Sequence, residues 1–171
     1  MQTIFLIGFM GSGKTTFGRK LAAKLGYKFI DLDVAVCIKY KVATIKILIE
    51  ERGIDFFREA ENETLKSLPI DNVVISTGGG TPCYFDSMKW MKGRGAVVFL
   101  NVDKGVIYSR LKTTELHERP LLKDLDDVGL NSFIHTKLQE RLPYYNQAHI
   151  IFNPVNEKME LLIDKLQSLK F

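Results

Sequence analysis

The stretch Gly8-Phe9-Met10-Gly11-Ser12-Gly13-Lys14-Thr15 has the residue types and spacing of a phosphate cradle. Glycines let backbone N–H groups turn inward around an anion, and a helix starting behind them adds partial positive charge. In G-x-x-x-x-G-K-[ST] the lysine reaches the β- and γ-phosphates and the hydroxyl ligates Mg²⁺. Those are the roles expected of Lys14 and Thr15, with Gly11, Ser12, Gly13 and Thr16 completing the triphosphate-binding stretch. The context agrees. Thr3–Ile7 before the pattern is an unbroken apolar run, suited to a strand buried on both faces. After it, Phe17, Leu21 and Leu25 recur at helical spacing until Gly26. We read a bound nucleoside triphosphate from this segment. No Asn-Lys-x-Asp guanine signature accompanies it, and the chain is short for a motor or helicase, so a small-molecule kinase fits best.

Other residues could serve the phosphoryl acceptor. Asp31 and Asp33 follow the strand-like run Lys28–Ile30. Spaced i, i+2 on an extended segment, two carboxylates point the same way, one toward a metal and one toward an acceptor hydroxyl. The same pair also suits a helix cap plus a loop carboxylate. Gly78-Gly79-Gly80 follows the apolar run Val73–Thr77 and lets a ligand touch backbone, although a triple-glycine turn needs no ligand. Arginine is scarce, at positions 19, 52, 58, 94, 110, 119 and 141. Taken singly, each suits a solvated surface arginine as well as a site.

Positioning these groups falls to one set of elements. A chain of 171 residues makes a single domain, 1–171, with room for a substantial core. At 46% hydrophobic and 26% charged it is neither disordered nor fibrous. No apolar run approaches the roughly 20 residues of a membrane span, so no membrane partner is expected. Met1-Gln2-Thr3 leads directly into a strand without a basic leader, and Cys37 and Cys83 have no disulfide or zinc spacing. A cytoplasmic location follows. The net charge of +4 comes from lysines spread along the chain rather than gathered in a run. That fits an anionic small substrate and gives no reason to expect nucleic acid.

Apolar runs at 3–7, 28–30, 73–77, 96–100 and 149–152 alternate with helical patterns. Those patterns cover 14–25, 34–66 (punctuated near Gly53), 82–92, 104–112, 130–147 (kinked or ended by Pro143) and 155–169. The alternation predicts an α/β fold of three layers, a five-stranded parallel sheet with helices on both faces. The polar stretch Thr113–Asp127 reads as a flap.

Taken together, the motifs strongly resemble the shikimate kinase family. They are GFMGSGKTT, the D-x-D at Asp31/Asp33, F-R-x-x-E at Phe57–Glu61, G-G-G at Gly78–Gly80, R-P-L-L at Arg119–Leu122 and R-x-x-x-Y at Arg141–Tyr145. They occur in family order and span nearly the whole chain. The resemblance implies a P-loop kinase fold with a lid at about 112–124 and a substrate-binding helical segment at about 33–61. It implies ATP-dependent phosphorylation of the 3-hydroxyl of shikimate, a step toward aromatic amino acids, with Mg²⁺ as cofactor. It further implies that Thr15 binds Mg²⁺, with Asp31 acting through water. Asp33 would contact the shikimate hydroxyls and help deprotonate the nucleophile. Arg58 and Arg141 would hold the shikimate carboxylate, and Gly79 and Gly80 would touch the substrate. Arg119 would approach the transferring phosphate and Arg110 would lie by the adenine; the catalytic set would be Lys14, Asp33 and Arg119. A monomer is expected. Ile49 stands where the family usually has a pocket aromatic, and Ile54 where it has an acidic residue. Two other readings stay open on the sequence: a gluconate-type kinase on the same scaffold, and a nucleotide-binding regulatory module without turnover.

Overall fold

In the computed structural model, which describes residues 3–113 and 125–169, the apolar run Thr3–Ile7 is a strand (β1) buried along its whole length. Its side chains alternate between two cores. Phe5 and Ile7 join a cluster with Val36, Phe57, Ile75, Phe99 and Tyr145, while Ile4 and Leu6 join Leu21, Val74, Val98, Phe152 and Leu162. Each such side chain removed from water contributes about 1.5–3 kcal/mol before chain entropy is counted. Covering both faces is why Ile4–Ile7 carries no polar residue on either side, and the hydroxyl of buried Thr3 is satisfied by the Ile70 carbonyl.

β2 (Lys28–Asp31), β3 (Val73–Ser76), β4 (Gly95–Leu100) and β5 (Ile150–Phe152) complete one sheet in the order β2-β3-β1-β4-β5. All pairings are parallel, with Phe5 opposite both Ile75 and Val97. Parallel neighbours require crossovers. They are α1 (Lys14–Leu25), α2 (Leu32–Tyr40), α3 (Ile45–Ser67), α4 (Ser87–Lys92), α5 (Lys104–Thr113) and α6 (Asp127–Tyr145), and α7 (Met159–Ser168) closes the described chain. α1 and α7 cover one face; α2, α3, α4 and the end of α6 cover the other. A third cluster, with Phe9, Ile107, Leu111, Leu130 and Ile134, packs α5 against α6 beyond the sheet. The three-layer α/β architecture expected from the sequence is the one observed.

Several boundaries differ from the expectation, each for a local reason. The segment 34–66 is two helices. α2 ends at Lys41, in left-handed conformation, and α3 starts afresh where the Thr44 hydroxyl accepts from the Ile47 N–H at 3.2 Å. Gly53 then breaks the helical path of α3 at φ 85°, ψ 165°. The helix expected over 82–92 is instead a 3-10 turn, Thr81–Cys83, followed by the short α4, with Phe85 between them at φ 52°. α6 begins earlier than the apolar pattern because Asp126 caps it, its carboxylate accepting from the Gly129 N–H at 2.7 Å. Pro143 lies inside α6, which ends shortly after it at Tyr145. α7 begins only at Met159, since the Asn153 side chain and the Asn153 carbonyl organise a turn over 153–157.

Candidate active site

The loops leaving the C-terminal ends of β1, β2 and β3 converge on one edge of the sheet, where open α/β folds bind ligands. There they line a single cleft of about 1450 Å³. One half is the glycine loop from Gly11 to Thr16; the other holds Asp33, Ile49, Ile54, Arg58, Glu61, Gly79, Gly80 and Arg141. Stretches far apart in sequence therefore meet around one space.

Gly13 caps α1 at φ 88°, a conformation that costs other residues dearly, and this turns the loop around the start of the helix. Lys14 is largely buried, and its ammonium donates to the carbonyls of Gly8 (2.8 Å) and Phe9 (3.0 Å). From α5, Arg110 reaches the same loop and donates to the Gly11 carbonyl at 3.0 Å. The Ser12 hydroxyl is buried in the loop without a hydrogen-bond partner among the described residues.

The two aspartates are not on one extended segment. β2 ends at Asp31 and α2 starts at Leu32, because the Asp31 carboxylate caps the helix by accepting from the Asp33 N–H at 3.1 Å. Asp33 thus sits in the first turn of α2. The other Asp31 oxygen accepts from the Thr15 hydroxyl at 2.7 Å. The helix cap weighed for this pair is thus observed, and it leaves the second Asp31 oxygen beside Thr15. A hydroxyl and a carboxylate side by side are hard oxygen donors, which Mg²⁺ prefers, so these residues fit that ion. Among the described residues no cluster of three or more His, Cys, Asp or Glu could cage a metal unaided. Mg²⁺ in kinases draws most of its ligands from water and phosphate.

Asp33 is electrostatically the most unusual group in the cleft. Its Oδ1 is shut off from solvent without a hydrogen-bond partner among the described residues. Burial first, then the nearby carboxylates of Glu61 and Asp31, raise its pKa from 3.8 to about 6, against the opposing pull of Lys14 and Arg58.

Arg58 and Arg141 approach the glycine turn from different helices. A Cβ added to Gly80 would lie 2.7 Å from Arg58 Nη2, and one added to Gly79 would lie 3.1 Å from Arg141 Nη1. Both guanidiniums thus rest against adjacent glycines, an approach that larger side chains would block. Arg58 is held by Glu61, one turn on in α3, at 2.8 Å, and lies over the rings of Phe57 and Tyr84. Arg141 lies over the Phe9 ring and is nine-tenths buried. A planar fork held rigidly in this way suits a carboxylate, which it can bind bidentately.

Sequence reasoning passed over two residues that organise this half. Glu61 is 1% exposed and bridges Arg58 to the Thr81 hydroxyl, which donates to it at 2.6 Å. Tyr145 donates its hydroxyl to the Gly79 carbonyl. Both lie within quoted motifs, and the only signal was helical spacing, Glu61 at i+3 from Arg58 and Tyr145 at i+4 from Arg141. Arg119 and residues 114–124 of the expected lid lie outside the described residues.

The family model for shikimate kinase matches residues 10–169. The chain belongs to the shikimate kinase family. Its curated relatives include the shikimate kinase of Phocaeicola vulgatus, 43% identical over 98% of this chain and 92% of that protein. That of Bacteroides thetaiotaomicron is 45% identical over 90% and 87%. Among solved structures, shikimate kinase from B. thetaiotaomicron superposes with a TM-score of 0.84 at 41% identity, covering 97% of this chain and 94% of the other. Shikimate kinase from Acinetobacter baumannii in complex with shikimate gives 0.85 at 30% identity, covering 99% and 96%. A gluconokinase from Sinorhizobium meliloti gives only 0.54 at 18% identity, a likeness of fold alone. The family places this chain among ATP-using kinases, and the gluconate-type alternative loses ground accordingly. No helix among the described residues is long and apolar enough to cross a membrane.

Proposed function

We propose that this protein transfers the γ-phosphoryl group of ATP to the 3-hydroxyl of shikimate, with segment 33–61 forming much of the acceptor wall of one domain. One observation carries this reading. Two rigid guanidiniums, Arg58 and Arg141, abut Gly79 and Gly80 in the same cleft as the glycine loop and Lys14. An organic acid gripped there presents its hydroxyls toward Asp33 and the triphosphate.

Phosphoryl transfer asks for positioning and charge neutralisation rather than covalent help from protein. Backbone N–H groups of Gly11–Thr16 and the Lys14 ammonium hold the phosphates; Lys14 exchanges its two carbonyl partners for phosphate oxygens. Arg110, on the Gly11 carbonyl, braces the loop on the nucleotide side. Thr15, with Asp31 through water, would hold Mg²⁺, which supplies charge neutralisation at the β- and γ-phosphates. Asp33, ionised above its pKa of about 6, accepts a hydrogen bond from the acceptor hydroxyl. As that oxygen bonds to the γ-phosphorus, its proton passes to the Asp33 carboxylate and the bond to the ADP oxygen breaks.

The test is ADP release by the purified protein with shikimate and, separately, gluconate. Shikimate-dependent turnover at millimolar substrate, with little from gluconate, is expected. Turnover with gluconate alone, or with neither acid, would overturn the assignment.

A further inference from the structure

Gly79 receives two groups from one helix. Arg141 and Tyr145 are four residues apart on α6 and so share a face. The Arg141 guanidinium rests on the Gly79 Cα, while the Tyr145 hydroxyl donates to the Gly79 carbonyl at 2.5 Å. Tyr145 is fully buried, and its ring packs on Phe99 of β4, centroids 4.9 Å apart. The ring is thus a strut from the sheet core to the glycine turn. Burial raises the pKa of its hydroxyl, which stays protonated, and therefore a donor, at any working pH.

The consequence lies on the far side of the peptide. A trans peptide is planar, with its C=O and N–H pointing in opposite directions. The Gly79–Gly80 peptide is trans, and its carbonyl is turned toward Tyr145 and the core. The Gly80 N–H must therefore point away from the core, where Gly80 lines the cleft. Neighbouring amides are consumed within the turn, Thr81 donating to the Gly78 carbonyl and Cys83 to the Gly80 carbonyl. The Gly80 N–H has no such backbone partner among the described residues. Glycine at 80 leaves this peptide little intrinsic resistance to rotation, so something outside the turn must hold it.

We propose that Tyr145 is a positioning residue for the acceptor: its hydrogen bond to the Gly79 carbonyl locks the peptide plane so that the Gly80 N–H faces the cleft as a ready donor to an oxygen of the bound organic acid. This rests on the acceptor assignment above. Without the hydroxyl, the plane rotates and the donor is lost or must be re-aimed when the acid binds. The bond exists before and throughout the reaction, so its loss weakens binding rather than the chemical step.

The experiment compares wild type with Tyr145→Phe, which keeps the ring and its packing on Phe99. KM for shikimate should rise about tenfold, the worth of one hydrogen bond to a charged or strongly polar group. KM for ATP and kcat should stay within about twofold. In parallel, ¹⁵N-labelled wild type is titrated with shikimate; the Gly80 amide resonance should shift strongly, and much less in Y145F. Unchanged KM for shikimate in Y145F, with only a lower Tm, would reduce Tyr145 to a packing role and overturn the proposal. So would equal losses for both substrates, or a wild-type Gly80 amide that ignores shikimate. The titration decides even where Y145F fails to fold. Failure of the acceptor assignment reads differently, as wild type without shikimate-dependent turnover.

Discussion

Replacing Asp33 with asparagine should make the enzyme more stable and nearly inactive. The raised pKa is a statement about folding as well as reactivity. Its shift from 3.8 to about 6 means that the folded protein holds this proton about two pKa units more tightly than the unfolded chain. Below pH 4 the carboxyl is protonated in both states and costs nothing. As pH rises from 4 to 6 the wild type loses stability, and above about 6 the full cost, up to roughly 3 kcal/mol, is present. The asparagine of D33N does not titrate and escapes that cost. It forfeits a negative charge in the first turn of α2, worth about 0.3–1 kcal/mol. The net gain is about 2 kcal/mol at pH 8, or roughly 4–8 °C in Tm for a chain of this size. Urea and thermal unfolding of the ligand-free protein at pH 4.5 and pH 8 measure it directly. D33N should be clearly more stable at pH 8, with the advantage falling to about a third of that at pH 4.5. Its kcat should fall about 10²–10⁴-fold, the usual loss for a removed general base. In wild type, kcat/KM for shikimate should rise with pH up to about 6 and then level. D33N as stable as wild type at pH 8, or less stable, would refute the electrostatic argument, and an unchanged kcat would refute the catalytic one.

Gly80→Ala leaves the backbone comfortable, since Gly80 has φ −94° and ψ −17°, so its effect isolates the contact with Arg58. Glu61 and two aromatic rings prevent Arg58 from withdrawing cheaply; KM for shikimate should rise at least about tenfold and Tm should fall, and normal steady-state kinetics would contradict the clamp. Arg141→Lys keeps the charge and loses the fork, so KM for shikimate should rise about 10–100-fold with KM for ATP preserved, as initial-rate measurements will report. Gly18→Ala tests helix placement: the new methyl would lie 2.6 Å from the Phe29 ring and 2.9 Å from Leu6. Overpacking of about 1–3 kcal/mol should outweigh the roughly 1 kcal/mol gained in helix propensity, lowering the urea midpoint; a raised midpoint would show that α1 moves freely off the sheet.

What the sequence disclosed follows the range of the interactions involved. Strand, glycine loop and helix over residues 3–25 were legible because every feature acts within a few residues: buried runs, a left-handed Gly13, a Gly26 stop. The sequence offered Asp31 both as a strand residue and as a helix cap and could not choose, because the outcome turns on one hydrogen bond from the Asp33 amide to the Asp31 carboxylate. The break between the 3-10 turn and α4 depends on Phe85 in a conformation phenylalanine rarely adopts, which no turn residue flags. Arg58 and Arg141 could be named from motifs, but their meeting at the glycine turn required α3 and α6 to be placed. Glu61 and Tyr145 carry no chemistry that stands out in a sequence. Their importance comes from what they hold.

The Lys14 ammonium donates to two backbone carbonyls of its own loop. A ligand must therefore outcompete neutral acceptors for a cation that gains little by letting go. Adenosine, lacking charge, offers nothing better than the carbonyls it would displace, whereas clustered phosphate oxygens do. A loop that occupies its own lysine in this way sets a threshold on anionic charge, through a contact made entirely within the protein.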